Sequence, residues 1–195
     1  LSRLSLSLNQ LEGSISSNIT TNLTELSILE LAGNQFTGDI LYSIEHLTNL
    51  TQLNLASNQF TGGISAQFLA NNPNLFNLTL QFNQFSGTIP FNIGNLTNIR
   101  YLNLSNNNFS GPIPATFGNP NGIADGIYPT LSSLYLDNNQ LEGEIPPQLA
   151  NLPVLTYDLE TEQMITSGLT NFDISDNNLT GEIPQEVCDM LQTQQ

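Results

Sequence analysis

Residues with the chemistry for catalysis are few in this sequence and stand far apart. The chain has one histidine, His46, and one cysteine, Cys188, in no spacing typical of a nucleophile with its base. The nucleophile-elbow, zinc-protease and phosphate-loop motifs are absent. Paired acids such as Glu142 and Glu144 lie in repeat turns, which offer no pocket for glycosidase-type chemistry. We therefore predict that the chain is not an enzyme.

One acidic cluster has the side-chain type that binds metal ions, and it comprises Asp158, Glu160 and Glu162. Carboxylates are the ligands that calcium prefers, but the cluster lacks the glycine and the terminal bidentate glutamate of a calcium loop at the required spacing. The sequence therefore predicts no metal site and no cofactor.

The remaining chemistry is that of recognition. Tyrosine provides contact area together with a polar group, and it is enriched at binding hot spots. Two tyrosines and two aspartates occur close together in the repeat pattern, in short segments that alternate apolar and polar residues. The candidate ligand-binding residues are Tyr101, Asn103, Ser133, Tyr135, Asp137, Asn171 and Asp173. The alternative is that they are ordinary exposed polar residues of strands.

Charge narrows the range of partners. The chain has 17 acidic residues against Arg3 and Arg100, for a net charge of −15. Residues 1–100 carry five acids and both arginines, which gives −3, and residues 101–195 carry twelve acids and no base, which gives −12. Nucleic-acid binding is excluded because phosphate contacts need basic residues, and adsorption to anionic membranes is disfavoured. The acidity indicates either a solvated surface or a cationic partner drawn to the C-terminal half.

A repeat must position these residues. The pattern LxxLxLxxNxFxGxIP occurs seven times, starting at residues 1, 26, 50, 75, 99, 131 and 169. The LxL alternation predicts one short, half-buried strand per copy, and stacked copies would bury a continuous core. We predict one solenoid domain over residues 1–195, with insertions near 119–129 and 156–168 and a C-terminal end at 185–195.

One asparagine recurs after the strand in every copy. Its amide has two donor hydrogens and an acceptor, so it can satisfy backbone groups of its own coil and of a neighbouring coil. We predict a buried structural ladder of Asn9, Asn34, Asn58, Asn83, Asn107, Asn139 and Asn177. The following aromatic position predicts a stack of Phe36, Phe60, Phe85 and Phe109, and the glycine after it suits a bend with positive φ.

The LxGxIP half of the motif, with Pro90, Pro114, Pro146 and Pro184, resembles the plant-type leucine-rich repeat over nearly the whole chain. Members of that class include receptor-kinase ectodomains, receptor-like proteins and polygalacturonase-inhibiting proteins. The resemblance implies an α/β fold, a right-handed superhelix with a parallel β-sheet on its concave face. It also implies recognition of peptides, proteins or glycans outside the cell, with any membrane contact made by a segment outside this chain.

The ends depart from the family pattern. Leu1 opens directly on a repeat without the cysteine-paired cap, and Cys188 stands alone where the family often has paired cysteines. The chain is therefore interpreted as a fragment or as a divergent minimal member. Cys188 is either a buried small residue of the last coil or half of a disulfide whose partner lies outside this chain.

Glycosylation sequons fit an extracellular or cell-surface location, although an Asn-, Ser- and Thr-rich chain also forms sequons by chance. Candidate N-glycosylation sites are Asn18, Asn22, Asn49, Asn95, Asn108 and Asn178. Two further sequons, at Asn77 and Asn103, would place glycans on the concave face.

We expect an extracellular protein- or peptide-recognition solenoid, as part of a receptor or of a secreted inhibitor, with its ligand on the concave C-terminal half. One alternative is binding to ice or a mineral surface, because small polar residues precede the repeat glycines at Thr37, Thr61, Ser86, Ser110 and Thr180. A structural cell-wall or adhesion protein is the other.

Overall fold

The computed structural model describes residues 1–16, 22–117, 131–152, 157–158, 163–164 and 169–192. Each of the seven copies contributes one short strand to a parallel sheet, here called the main sheet, in which strands follow one another in chain order. Its strands are β1 (Arg3–Ser5), β3 (Ile28–Glu30), β5 (Gln52–Asn54), β7 (Asn77–Thr79), β9 (Tyr101–Asn103), β11 (Ser133–Tyr135) and β15 (Asn171–Asp173). The predicted α/β solenoid is confirmed.

A second strand follows the asparagine of each copy and forms two smaller parallel sheets. The first contains β2 (Glu12–Ser14), β4 (Gln35–Gly38) and β6 (Gln59–Phe60). The second contains β8 (Ser86–Thr88), β10 (Asn108–Gly111), β12 (Gln140–Glu144) and β16 (Asn178–Thr180). The predicted insertion at 119–129 lies outside the described residues. So does the one at 156–168, except for an antiparallel hairpin of β13 (Tyr157–Asp158) and β14 (Gln163–Met164).

Short helices return the chain from one coil to the next. They are α1 (Ile40–Ser43), α2 (Ala66–Asn71) and the 3₁₀ helices Phe91–Asn95, Ala115–Phe117 and Pro147–Asn151. Side chains cap the first two, since Asp39 accepts a hydrogen bond from the Tyr42 amide and Ser65 from the Phe68 amide. The last helix, α3 (Gln185–Gln192), buries Val187 and Met190 at the C-terminal end of the core. No helix in the described part of the chain is long and apolar enough to cross a membrane.

The core is one continuous column because identical positions of successive coils are in register. The central leucines of neighbouring strands pair directly, from Leu29 through Leu53, Leu78 and Leu102 to Leu134, and all are at most 1% exposed. Burying one such side chain contributes about 1.5–3 kcal/mol. The same favourable leucine burial therefore recurs in each successive coil of the solenoid.

The predicted aromatic stack is also confirmed. Ring centroids are 6.0 Å apart for Phe36 and Phe60, 6.3 Å for Phe60 and Phe85, and 6.3 Å for Phe85 and Phe109. The repeat glycines that follow have φ between +74° and +87°, as the bend requires.

The recurrent asparagine joins each coil to the one before it. The Nδ2 group of Asn107 donates to the carbonyl of Leu80 in the preceding coil at 3.1 Å and to Leu104 in its own coil at 3.2 Å. Its Oδ1 atom accepts from the backbone amide of Phe85 in the preceding coil at 3.0 Å. Asn34, Asn58, Asn83, Asn139 and Asn177 repeat this pattern, whereas Asn9 donates only within its own coil, to Leu6 and Ser7.

The expectation that the whole ladder is buried is wrong. Only Asn107 is buried, at 8% exposure; Asn9 is exposed and the other five asparagines are half-buried. The ladder asparagines follow the main-sheet strands, where the chain turns toward the smaller sheets, and all of them except Asn107 remain partly accessible there.

A left-handed residue precedes every ladder asparagine, and the sequence pattern did not indicate it. Positive φ occurs at Leu8, Gly33, Ser57, Phe82, Asn106, Asn138 and Asp176. Glycine and asparagine adopt this conformation readily, whereas a bulky residue such as Phe82, with φ 57°, is strained there. The turn geometry is thus imposed by the repeat rather than by the local residue.

We predict that Asn107→Ala lowers the free energy of unfolding by about 1–3 kcal/mol, because it leaves the buried Phe85 amide without its acceptor and removes one of the donors to the carbonyls of Leu80 and Leu104. Denaturant unfolding measures the change. The matched control is Asn108→Ala at the neighbouring exposed asparagine, for which we expect a change below about 0.5 kcal/mol. Equal unfolding midpoints for Asn107→Ala and the wild type would contradict the structural role of the ladder.

We also predict that Phe82→Asn is more stable than Phe82→Ala by about 0.5–1 kcal/mol, since asparagine tolerates the left-handed region and alanine does not. Both variants remove the same half-exposed ring, so their difference isolates the backbone preference. Thermal unfolding measures it, and identical stabilities would show that the turn carries no strain.

Candidate ligand-binding surface

Three neighbouring main-sheet strands carry the candidate residues. The parallel register places Tyr101 of β9 beside Ser133 of β11, which in turn lies beside Asn171 of β15. One dipeptide step further along the strands, Asn103 lies beside Tyr135 and Tyr135 beside Asp173. Period-two alternation puts all six positions on the same face of the sheet. The predicted residues are therefore neighbours in space.

The two tyrosines form the centre of this surface. Their ring centroids are 5.7 Å apart with an interplanar angle of 49°, a tilted arrangement that suits aromatic pairs. Both side chains are half-buried, so part of each ring faces solvent. Together they offer a rigid aromatic platform on an otherwise small-residue sheet.

The carboxylates beside the platform are held by local hydrogen bonds. Asp173 accepts from the Ser175 amide at 2.9 Å and from its hydroxyl at 2.7 Å. Asp137 accepts from the Asn138 side-chain amide at 2.9 Å. Among the described residues, neither aspartate has a basic partner. Their charges are therefore oriented by neutral groups and remain available to a cationic ligand.

The pKa of Tyr135 reflects the negative charge of this surface. Burial of the hydroxyl raises its pKa above the usual 10.0, and the charges of Tyr101, Asp173 and Asp137 raise it further. The same negative field that disfavours a phenolate would favour a positively charged group near the ring.

Two of the predicted ligand-contact residues are buried and have little surface to offer a ligand. Asn103 is 8% exposed and Ser133 5% exposed, so the prediction that they face solvent is wrong. Asn103 accepts hydrogen bonds from Ser105 through its Oδ1 atom, and Ser133 accepts one from Asn171 at 3.2 Å. In the register Ser133 lies between Tyr101 and Asn171, and Asn103 lies between Thr79 and Tyr135.

Other residues singled out by the sequence lie away from this surface. The His46 side chain is 74% exposed, with its Nε2 atom 3.8 Å from Glu45. Cys188 is a half-buried free thiol on α3.

Of the six candidate glycosylation asparagines, Asn18 lies outside the described residues. The other five are exposed, namely Asn22, Asn49, Asn95, Asn108 and Asn178. Of the further sequons, Asn103 is buried and Asn77 half-buried. Within the described part of the chain, no three metal-ligating side chains come together.

Sequence reasoning missed a second feature, at the edge of the main sheet where the strands begin. Thr51, Phe76 and Arg100 directly precede β5, β7 and β9, and with Asn74 and Asn98 they line an open groove of about 620 Å³. The available signal was the variable position before each strand, which is polar and small in most copies but Phe and Arg in two adjacent ones.

Comparison with protein families agrees with this architecture. The Leucine Rich Repeat family model matches six segments, at residues 25–47, 49–71, 74–96, 98–120, 130–152 and 168–190. The chain is a leucine-rich-repeat protein. Comparison with curated protein sequences gives no match.

Solved structures assign this leucine-rich-repeat protein to the plant type. It is similar to the ectodomain of the receptor kinase GASSHO1/SCHENGEN3 from Arabidopsis thaliana, solved with Casparian strip integrity factor 2, with 32% identity and a TM-score of 0.80. It is also similar to the ectodomain of the Arabidopsis receptor kinase HAESA, solved with an extended IDA peptide hormone, with 32% identity and a TM-score of 0.72. These matches cover 100% and 96% of this chain but only 20% and 31% of the receptor chains.

A third similar structure has a different activity. It is a plant ice-binding protein, 27% identical with a TM-score of 0.59, and the match covers 94% of this chain and 67% of that one. The same repeat architecture therefore occurs in a receptor solved with a peptide hormone and in an ice-binding protein, so the fold alone does not determine the function.

Proposed function

We propose that this leucine-rich-repeat chain is the ligand-binding part of an extracellular recognition protein, a receptor or a secreted inhibitor. Its ligand would be a peptide or protein segment bound on the main sheet across β9, β11 and β15. The role is non-enzymatic. The exposed sequons fit N-glycosylation outside the cell, and none of these five exposed asparagines lies on the main-sheet strands.

The observation that carries this proposal is the tilted pair of Tyr101 and Tyr135 beside the unpaired carboxylates of Asp137 and Asp173. Aromatic platforms supply contact area at low entropic cost because a tyrosine has few rotatable bonds. The adjacent carboxylates select a ligand with lysine or arginine side chains. The HAESA ectodomain, which shares this fold, was solved with a peptide hormone, and this supports the same ligand class here.

Charge distribution supports the position of the site. The excess of −12 in residues 101–195 would steer a cationic ligand toward the C-terminal half of the sheet. Such steering acts on the association rate and is screened by salt. The outward side chains of the N-terminal strands are mostly neutral, and the charges of Arg3 and Glu30 compensate each other in an ion pair at 2.9 Å.

We predict that Tyr135→Ala/Asp137→Asn/Asp173→Asn weakens binding of basic peptides more than about tenfold, because it removes both the platform and the charge. Wild-type affinity should fall as salt rises. Calorimetry or surface plasmon resonance against a panel of basic and acidic peptides measures both effects. The matched control is Gln52→Ala/Asn54→Ala on β5, which changes the same face of the sheet in the N-terminal half.

Two results would contradict the assignment. If the control variant loses binding while the triple variant keeps it, the site lies on the N-terminal half. If no basic peptide binds at low salt, the acidic residues serve solubility alone.

Ice binding is the second candidate, supported by the similarity to the plant ice-binding protein. The small polar residues before the glycines are exposed on the smaller sheets, except for the half-buried Ser110. The strand register, however, staggers them by two residues per coil, so that Thr37 pairs with Gln59, Ser110 with Gln140 and Thr180 with Glu144. The small polar residues therefore form a diagonal row that glutamates interrupt, and they do not align in one straight line across the strands.

We predict no thermal hysteresis at micromolar protein concentration, because charged Glu142 and Glu144 break the row of small hydroxyl side chains. Nanolitre osmometry measures this directly. The matched variant, Glu142→Thr/Glu144→Thr, extends the row. Clear activity of the wild type would overturn the peptide-recognition proposal.

A further inference from the structure

The two arginines of this chain have different surroundings. Arg3 forms an ion pair with Glu30 at 2.9 Å, and its hydrogen bond lowers the pKa of that carboxyl. Arg100 is exposed, and among the described residues no carboxylate lies within ion-pair distance of its guanidinium. An arginine left unpaired in a chain of 17 acids is a site where a negative group can be received.

The backbone amide and carbonyl groups around Arg100 are hydrogen-bonded to neighbouring coils. The Arg100 amide donates to the carbonyl of Phe76 at 2.9 Å, and the Phe76 amide donates to that of Thr51 at 2.9 Å. The Arg100 carbonyl accepts from the amides of Ser132 and Ser133. Consecutive coils therefore present these side chains from a fixed frame, and no backbone edge is left for a peptide to extend as a strand.

The side chains that line the groove, by contrast, retain unused hydrogen-bonding capacity. Within the described residues, neither the Arg100 guanidinium nor the Asn74 amide has a hydrogen-bond partner, and Asn98 makes only a long contact of 3.4 Å to the Pro73 carbonyl. The Thr51 hydroxyl donates to the Ser27 carbonyl at 3.1 Å and keeps its acceptor capacity. Phe76 is 37% exposed, which leaves part of its ring available as an apolar surface.

We propose that this groove binds a short oligosaccharide that carries one carboxylate, a uronic-acid sugar. The guanidinium would hold the carboxylate through paired N–H donors, and the Phe76 ring would pack against the C–H face of a sugar. The amides of Asn74 and Asn98 offer donors and acceptors to the hydroxyl groups. The volume of about 620 Å³ is in the range of small-ligand sites.

Charge and bonding restrict the ligand further. A single guanidinium compensates one negative charge, and the net charge of −15 disfavours polyanions, so one carboxylate fits better than a phosphate or a sulfated chain. A peptide is less suitable, because the groove residues include no acid for an amine and the backbone is already paired. The site is distinct from the tyrosine platform and selects the opposite charge.

The test uses cellobiouronic acid, a glucuronic acid linked to glucose, with cellobiose as the uncharged probe of equal size. NMR titration or calorimetry on the whole chain measures both affinities. We expect the uronate to bind roughly tenfold more tightly than cellobiose, which is the strength of one charge-assisted contact at an exposed site. Arg100→Gln should remove that preference, and Arg100→Lys should restore it in part, since lysine keeps the charge without the planar donors.

Two further variants make the test specific. Arg3→Gln changes the other arginine and should leave both affinities unchanged. Phe76→Ala should weaken uronate and cellobiose alike, because the ring contacts the sugar and not its charge. Since Arg100→Gln keeps every backbone hydrogen bond of Arg100, an unchanged unfolding curve verifies that the variant is folded.

Three outcomes would overturn the proposal. One is that uronate and cellobiose bind equally, and another is that the uronate preference survives Arg100→Gln. The third is that a neutral peptide with a free C-terminal carboxylate binds in an Arg100-dependent way while the disaccharides do not, which would make the groove a peptide-carboxylate site.

Discussion

The asparagine ladder is the constraint on which the other features of this structure depend. From Asn34 onward each ladder amide joins two coils, because its oxygen accepts from the preceding coil's Phe or Leu amide while its nitrogen donates to carbonyls of both coils. A hydrophobic column alone would allow neighbouring coils to slide or rotate, since burial is not directional. The amides fix the register, so that leucine pairs with leucine from Leu29 to Leu134 and ring stacks on ring from Phe36 to Phe109.

The fixed register also explains which surface residues are available. A ladder at the end of each strand requires a left-handed residue before it, and even Phe82 adopts that conformation. The same register staggers the smaller sheets by two residues per coil and interrupts the small hydroxyl side chains with glutamate. On the main sheet it brings Tyr101 and Tyr135 together although 34 positions separate them in the chain. Surface chemistry is therefore dictated by which coil a residue occupies.

The fold could be predicted from sequence because each repeat position has one physical role that seven copies display together. Neighbour relations at the candidate surface, such as that of Tyr135 and Asp173, also follow from the repeat template. Exposure does not follow from it. Asn103 and Ser133 occupy outward positions but are buried between side chains of adjacent strands, and strand alternation cannot show this. The Arg100 groove was missed because its residues precede the strands and belong to three coils.

Two candidate surfaces of opposite charge preference then share one rigid sheet. The tyrosine platform on β9 and β11 has unpaired carboxylates, and the groove before β5, β7 and β9 has the unpaired guanidinium. Arg100 directly precedes β9 and Tyr101 is the first residue of that strand, so the two surfaces adjoin where the strand begins. Because the backbone between them is fully hydrogen-bonded, coupling between the two sites would act through charge rather than through movement of the sheet.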